Sequence, residues 1–447
     1  MTILIKTPYG GWQNEKKYIA KTVLKNFLGL EDFKISHNLK DSWDICYEMK
    51  SISFPNCFFP EENPSLYLKS KSIPSGVKEF FDTHKYTNDN DFLPAKIPVF
   101  WHQNHGRAFN DIDIFGTIFF FLTRYEEVAI NDRDEYDRFP FASSLAKKCN
   151  LALEPVVDQY AELLKRVLKK KFPQIEFKKR EYKPELTHDV DHVSEWISKM
   201  PIDLARRVGG DLIKRKSLKN ARDSLLSYFS SKYDPLYNYD WLMSQSEKYG
   251  IQSKFYIVDA DQSSYDPTYK INDQKVKNLL SSIKKRNHQV GIHGSYHSYN
   301  CSIKLESELN HIKQATQKNI IGGRQHYLRF DPKSTWRIWN DIGLEYDSTL
   351  GFAEHVGFRC GTSLPYPTFD LVTGQSLDLI EKPLIFMEHS ALCDSYMGCD
   401  IDQSYEIFCR LLEQVKKYSG VFTLLWHNYY LTKEPEIELY LSMLKKL

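Results

Sequence analysis

The apolar positions of this chain follow two different rhythms. Up to about residue 150 they come in short groups broken by polar stretches. Ile3–Ile5 reads as a strand, and Lys16–Phe27 has apolar residues at helical spacing. Ile97–Phe100 reads as a short strand ending at Trp101, and Asp113–Tyr125 is apolar on nearly every side, which predicts a buried helix. Asn131–Phe139 turns polar and reads as a solvated loop. Glu154–Lys171 carries Pro155 near its first turn, basic residues in its last, and an apolar stripe from Val156 to Leu168, which predicts a helix. The Lys/Arg-rich stretch Lys169–Lys183 reads as a connector.

Beyond it, short strands alternate with amphipathic helices. The clearest strands are Leu186–Asp191, Ser253–Val258, Gln289–His293, His326–Phe330 and Val421–His427. The clearest helices are Asn272–Lys285, Ile303–Lys318 and Asp402–Tyr418. Repeated β–α alternation predicts a parallel sheet or an α/β barrel. The division that follows is a smaller α/β unit over 1–150, a helix and basic connector over 151–182, and a larger α/β unit over 183–447.

Composition narrows the function classes. With 60 Lys and Arg against 58 Asp and Glu, the net charge of +2 gives no reason to expect a nucleic-acid partner. The eight Cys contain no CxxC pair and read as reduced thiols. The start, MTILIKTPYGGWQNEKK, lacks the basic-then-apolar order of a signal peptide. The longest apolar run, Ile114–Leu122, falls well short of the ~20 residues that cross a bilayer. The expectation is a cytoplasmic protein whose contact with a membrane is at most peripheral.

The chemistry gathers at strand ends, where α/β barrels carry their active sites. Thr187-His188-Asp189-Val190-Asp191 puts two carboxylates two residues apart on an extended chain, on one face. Two such charges are costly to bury together without a cation. Another strand ends at His293, and Gly294-Ser295-Tyr296-His297 follows. His-x-x-x-His can place two imidazoles on one ion. With Asp191 these form a two-His, one-carboxylate set that leaves metal positions open for water and substrate. Arg329, after His326-Tyr327-Leu328, could hold a catalytic carboxylate by a bidentate bond. His427 ends an apolar strand and can protonate a leaving amine.

In that order, Thr187–Asp191, His293–His297 and Leu425–His427 resemble the polysaccharide-deacetylase, or NodB-homology, family (carbohydrate esterase family 4), over about residues 183–447. The resemblance implies a distorted (β/α) barrel and a zinc ion, with cobalt or nickel as substitutes. It also implies removal of N-acetyl, sometimes O-acetyl, groups from a sugar of a surface polysaccharide or its precursor. Carried over, Asp191, His293 and His297 are metal ligands, Asp189 the general base, His427 the general acid, and Arg329 the residue that orients Asp189. The chain departs from the family where Val190 separates the two aspartates and where Arg329-Phe330-Asp331-Pro332 replaces Arg-x-Pro-Tyr. Gly357–Thr362 reads as a loop bordering the site. The expected partners are an acetylated saccharide and, peripherally, a membrane or polysaccharide-synthesis proteins. Two other readings stay open: a hydrolase of a different amide, and a non-catalytic glycan-binding scaffold.

The remaining signals are weaker. His102 and His105 have no carboxylate or thiol close in sequence and read as loop residues. Asn131–Asp137 is acidic but lacks the glycine and terminal Glu of a calcium loop. Met200–Tyr233 is a basic, partly amphipathic insertion. Its plain reading is a solvated helical face, its sharper one contact with an anionic membrane surface.

Overall fold

The computed structural model describes residues 2–447 except 60–63, 78, 84–91, 198 and 262. Its first half builds two small sheets. β1 (Ile3–Thr7), β2 (Phe33–His37), β3 (Ser42–Tyr47) and β4 (Lys50–Pro55) form one sheet in the order β2-β1-β3-β4. β5 (Glu79–Asp82) and β6 (Lys96–Val99) pair antiparallel. The helix expected over Lys16–Phe27 starts earlier, at Gln13, and from Thr22 to Phe27 relaxes into a wider π-helical turn. All nine residues of the helix Ile114–Leu122 are buried, as its all-round apolar sequence requires. Asp113 caps it, accepting from the Gly116 amide and also from the Cys57 and Phe58 amides.

The second half carries the large sheet. Its strands are β7 (Lys183–Val190), β8 (Ser253–Ile257), β9 (Gln289–Gly294), β10 (Gly322–Gln325), β11 (Tyr346–Asp347), β12 (Tyr366–Asp370), β13 (Gln375–Glu381), β14 (Phe386–Met387) and β15 (Val421–Leu425). They are ordered β12-β13-β11-β10-β9-β8-β7-β15-β14, and every pair is parallel except β12 with β13. From β14 round to β13 the order is the chain order taken cyclically. Among the described residues no ladder joins β13 to β14, so the ring is open at that seam. The α/β class and the parallel sheet are as the sequence predicts; hydrogen bonds do not close the sheet into a barrel.

One strand lies elsewhere than expected. The run His326–Phe330 is not a strand: β10 ends at Gln325, and His326–Leu328 is a tight turn with Tyr327 and Leu328 in the left-handed region. The reason is the glycine pair that begins β10. A Cβ on Gly323 would stand 1.7 Å from the Ile292 carbonyl oxygen, so only glycine lets β10 lie this close to β9.

The two halves share one hydrophobic core, running from Ile3 to Leu444. The Gly357–Thr362 segment makes the seam between them. The Phe358 amide donates to the Ala152 carbonyl, the Val157 amide to the Gly361 carbonyl, and the Thr362 hydroxyl to Asp158. Its expected place beside the site is therefore corrected: it faces the N-terminal half. The basic connector is also anchored, with Phe172 and Ile175 buried and Arg180 donating to the Asn26 and Phe27 carbonyls.

Candidate active site

β7 delivers Asp189 and, just past its end, Asp191. β9 delivers His293, the turn after β10 delivers His326, and the segment after β15 delivers His427. These strands are consecutive in the sheet except that β8 lies between β7 and β9, and their C-terminal ends meet at one cavity of about 420 Å³. Close passage of β9 is again a glycine effect: a Cβ on Gly291 would stand 2.5 Å from the Tyr256 ring.

Asp191 is the hub. Its Oδ1 lies 3.6 Å from His293 Nε2 and 3.6 Å from His326 Nε2, and its Oδ2 lies 3.6 Å from His427 Nε2. The other nitrogen of each ring is committed. His293 Nδ1 donates to the Arg324 carbonyl at 2.9 Å, and His326 Nδ1 to Asp266 at 2.9 Å. That fixes the tautomer in which Nε2 offers its lone pair to the cavity, as second-shell acceptors do for metal-bound histidines. Asp191 Oδ1 is buried and has no hydrogen-bond partner. One ligand atom each from Asp191, His293 and His326 lie mutually within 4.8 Å. The 3.6 Å separations are near the ~3.4 Å edge of a tetrahedron with bonds of about 2 Å. An orphaned carboxylate oxygen facing two pre-oriented imidazoles fits a divalent cation, and the three residues present suffice to hold one with positions to spare.

Two further pairs flank this set. Arg324, fully buried on β10, donates through Nη1 to Asp189 Oδ1 at 2.8 Å and through Nε to the Ser348 carbonyl. Asp189 Oδ2 then faces His293 Nε2 at 3.6 Å. On the other side, His427 Nδ1 donates to Glu388 Oε1 at 2.5 Å, and the His427 amide donates to the same oxygen. Burial opposes a charged His427, but Glu388 first, then Asp191 and Asp189, push it up to about 9. Burial likewise opposes a charged Asp191, yet His326, His427 and His293 hold it down at about 2.

The cavity walls are tyrosines and a few apolar groups: Tyr265, Tyr327, Tyr396, Tyr429, Leu328 and Met387. Arg138 also lines it, and it comes from the N-terminal half. Its guanidinium is held by Asp134 at 2.7 Å, by the Tyr327 carbonyl and by the Tyr396 hydroxyl.

Comparisons with known proteins each cover part of the chain. The model of DUF7033, a family of unknown function, matches residues 3–173 and ends before β7. No curated protein matches the chain. Among solved structures, a "putative polysaccharide deacetylase" from Mycobacterium smegmatis is 14% identical, at 60% of this chain and 84% of that one, with a TM-score of 0.39. A "probable polysaccharide deacetylase" from Pseudomonas aeruginosa is 12% identical, at 48% and 70%, with a TM-score of 0.35. A CE4 family pseudoenzyme from Bacillus anthracis is 11% identical, at 60% of each chain, with a TM-score of 0.30. Likenesses this distant decide nothing about the reaction.

Of the residues singled out in the sequence, the structure brings together Asp189, Asp191, His293 and His427. His297 lies elsewhere: its residue is exposed and its ring packs edge-on against Tyr296. The chain turns at Gly294–Ser295, where the Ser295 amide and hydroxyl are tied to Glu308, and this carries His297 away from Asp191. The third place at the hub goes to His326. Arg329 is also displaced. It lies between the Tyr296 and Tyr299 rings at 4.0 Å and donates to the Tyr136 and Tyr296 carbonyls, so Asp189 is held by Arg324 instead. The places of Arg324 and His326 follow from β10 lying four residues earlier than the apolar run suggested. The acidic loop before Phe139 is not merely solvated, since Asp134 positions Arg138 at the cavity. His102 and His105 sit apart, His102 in a bridge to Ile112 and His105 beside Glu79. All eight cysteines are free thiols.

Proposed function

We propose that this protein is a metal-dependent hydrolase that removes acetyl groups, in the first place N-acetyl, from a sugar of a surface polysaccharide or its precursor. The observation that carries the reading is one cavity with three parts: the Asp191–His293–His326 set, a carboxylate fixed by arginine, and an imidazole fixed by glutamate. A binding module has no use for that combination.

Asp191, His293 and His326 would hold the cation. A bound divalent ion, zinc or in its place cobalt or nickel, would acidify a water and polarise the acyl carbonyl. Asp189 keeps one oxygen on Arg324 and has the other facing the cavity, free to take a proton from an attacking water. Arg324 is a positioning residue: its buried, two-ended anchorage fixes the carboxylate without touching substrate. His427 stands across Asp191 from His293, and its Glu388 partner keeps the ring charged. It is placed to pass a proton from Nε2 to the departing sugar nitrogen. The tyrosines offer flat faces for a pyranose, and the products are acetate and a free amine.

The test is acetate release by the full chain loaded with zinc, cobalt or nickel, on N-acetylated and O-acetylated sugars and on small cyclic amides. Acetate from an N-acetyl sugar supports the reading. Turnover of the cyclic amides alone moves the protein to another amide hydrolase. No turnover with a metal-loaded chain leaves a glycan-binding scaffold.

A further inference from the structure

Between β7 and β8, the first two of three α-helices, Pro201–Ile213 and Leu218–Phe229, pack on each other as a hairpin. Their amphipathicity is inverted. The buried positions are Leu204 and Asp211 on the first helix and Ala221, Ser224 and Ser227 on the second. The contacts inside are polar: Ser224 Oγ donates to Asp211 at 2.9 Å, and Trp196 Nε1 donates to Ser227 at 2.8 Å.

The large apolar side chains point outward. Ile213 is 78% exposed, Leu218 80% and Phe229 77%, with Met200, Ile202 and Leu225 also exposed. Positions 202 and 213 on the first helix, and 218, 225 and 229 on the second, are spaced by seven and eleven residues. At 100° per residue each set forms one stripe. Arg206 and Arg222 lie four residues into those same stripes. A surface stripe of this size, made of Ile, Leu and Phe on helices that bury serine, has no role in folding the hairpin.

Charge decides what covers it. Residues 200–233 contain eight basic and three acidic residues. Lys214, Lys216, Lys219 and Arg222 are exposed at the turn and the start of the second helix, and among the described residues none of them has an ion pair. Beside the turn is an open hollow of about 370 Å³, lined by Arg206, Arg207, Lys214 and Arg215. Gly209 and Gly210 also line it, and a Cβ on either would stand in open space. Apolar side chains flanked by long basic ones match the boundary of an anionic bilayer. There the apolar groups enter the acyl region and the cations stay with the headgroups.

We infer that this helical hairpin docks the protein on an anionic lipid bilayer. The hairpin leaves from the C-terminal end of β7, the end that carries Asp189 and Asp191. The inference does not depend on the reaction proposed above, and its test uses no substrate.

The full chain is sedimented with vesicles of equimolar phosphatidylglycerol and phosphatidylcholine, and with phosphatidylcholine alone. Two variants are compared, each checked for an unchanged Tm. One carries Lys214→Glu, Lys216→Glu, Lys219→Glu and Arg222→Glu; the other carries Ile213→Ser, Leu218→Ser and Phe229→Ser. The expected result is binding to the anionic vesicles only, weakened by salt, and reduced at least about tenfold in each variant. The inference is overturned if the wild-type chain stays in the supernatant with anionic vesicles, or if both variants pellet as it does. It is equally overturned if sedimentation equilibrium shows a wild-type dimer that the apolar variant dissolves, because a second copy then covers the face.

Discussion

Two of the buried charge clusters among the described residues differ in kind: one is finished and the other is not. At the seam between the halves, Arg124, Glu126, Glu127 and Arg359 are almost wholly buried. Arg124 bonds Glu127, Glu126 and the Phe121 and Arg359 carbonyls. Arg359 takes Glu127 with two nitrogens and the Gly351 carbonyl with the third. Burial would raise the Glu127 carboxyl, but Arg359 and Arg124 outweigh it and the group is held low. At the cavity, by contrast, Asp191 faces three imidazoles at 3.6 Å, beyond hydrogen-bond length, and one of its oxygens has no partner. The difference teaches how to tell a structural ion cluster from a functional one. In the first every guanidinium nitrogen has an acceptor; in the second a space is left that a cation fits.

The comparison can be broken from either side. The largest effect belongs to the cavity. Asp189→Asn is expected to lower kcat by about 10²–10⁴-fold while metal content and Tm stay near wild type, read by acetate release and elemental analysis. At the seam the reverse is expected. Glu127→Ala leaves two buried guanidinium groups short of an acceptor. It should cost about 3–5 kcal/mol of stability in a denaturation curve, with metal still bound. Arg324→Lys sits between the two: it keeps the charge but loses the two-ended anchorage. A fall of about 10–100-fold in kcat, with KM little changed and a shifted pH profile, would mark it as a positioning residue.

The smallest effect belongs to a buried carboxylate that makes no direct ion pair among the described residues. Asp158 accepts from Thr362 and Ser363, and burial outweighs these bonds and the Arg180 charge and pushes it up to about 6. A carboxyl raised in the fold contributes stability that is complete below its unfolded value near 4. That contribution is lost as pH rises through about 6. Asp158→Asn should therefore flatten the decline of Tm between pH 4 and 7, by on the order of 2 °C.

The sequence made the first carboxylate motif legible because strand alternation fixes Asp189 and Asp191 on one face. It made His293 and His427 legible because each ends an apolar run. It misplaced the third histidine because the chain turns directly after His293, and the arginine because β10 begins earlier than the apolar run. The Gly322-Gly323 pair looks like a break, yet it is the only backbone that fits between β9 and β11. His326 and Arg324 thus take the places assigned by spacing to His297 and Arg329. Arg138 was illegible in principle, because its approach to the cavity depends on how the two halves pack. Among the described residues no helix is long and apolar enough to cross a membrane, in agreement with the short apolar runs.

The central claim is that Asp191, His293 and His326, not His297, form a cation site. Elemental analysis of the purified chain and of His326→Ala and His297→Ala, after exposure to zinc and removal of the excess, tests it most directly. The account predicts near-stoichiometric zinc in the wild type and in His297→Ala, and little in His326→Ala. Zinc retained by His326→Ala and lost from His297→Ala would contradict it.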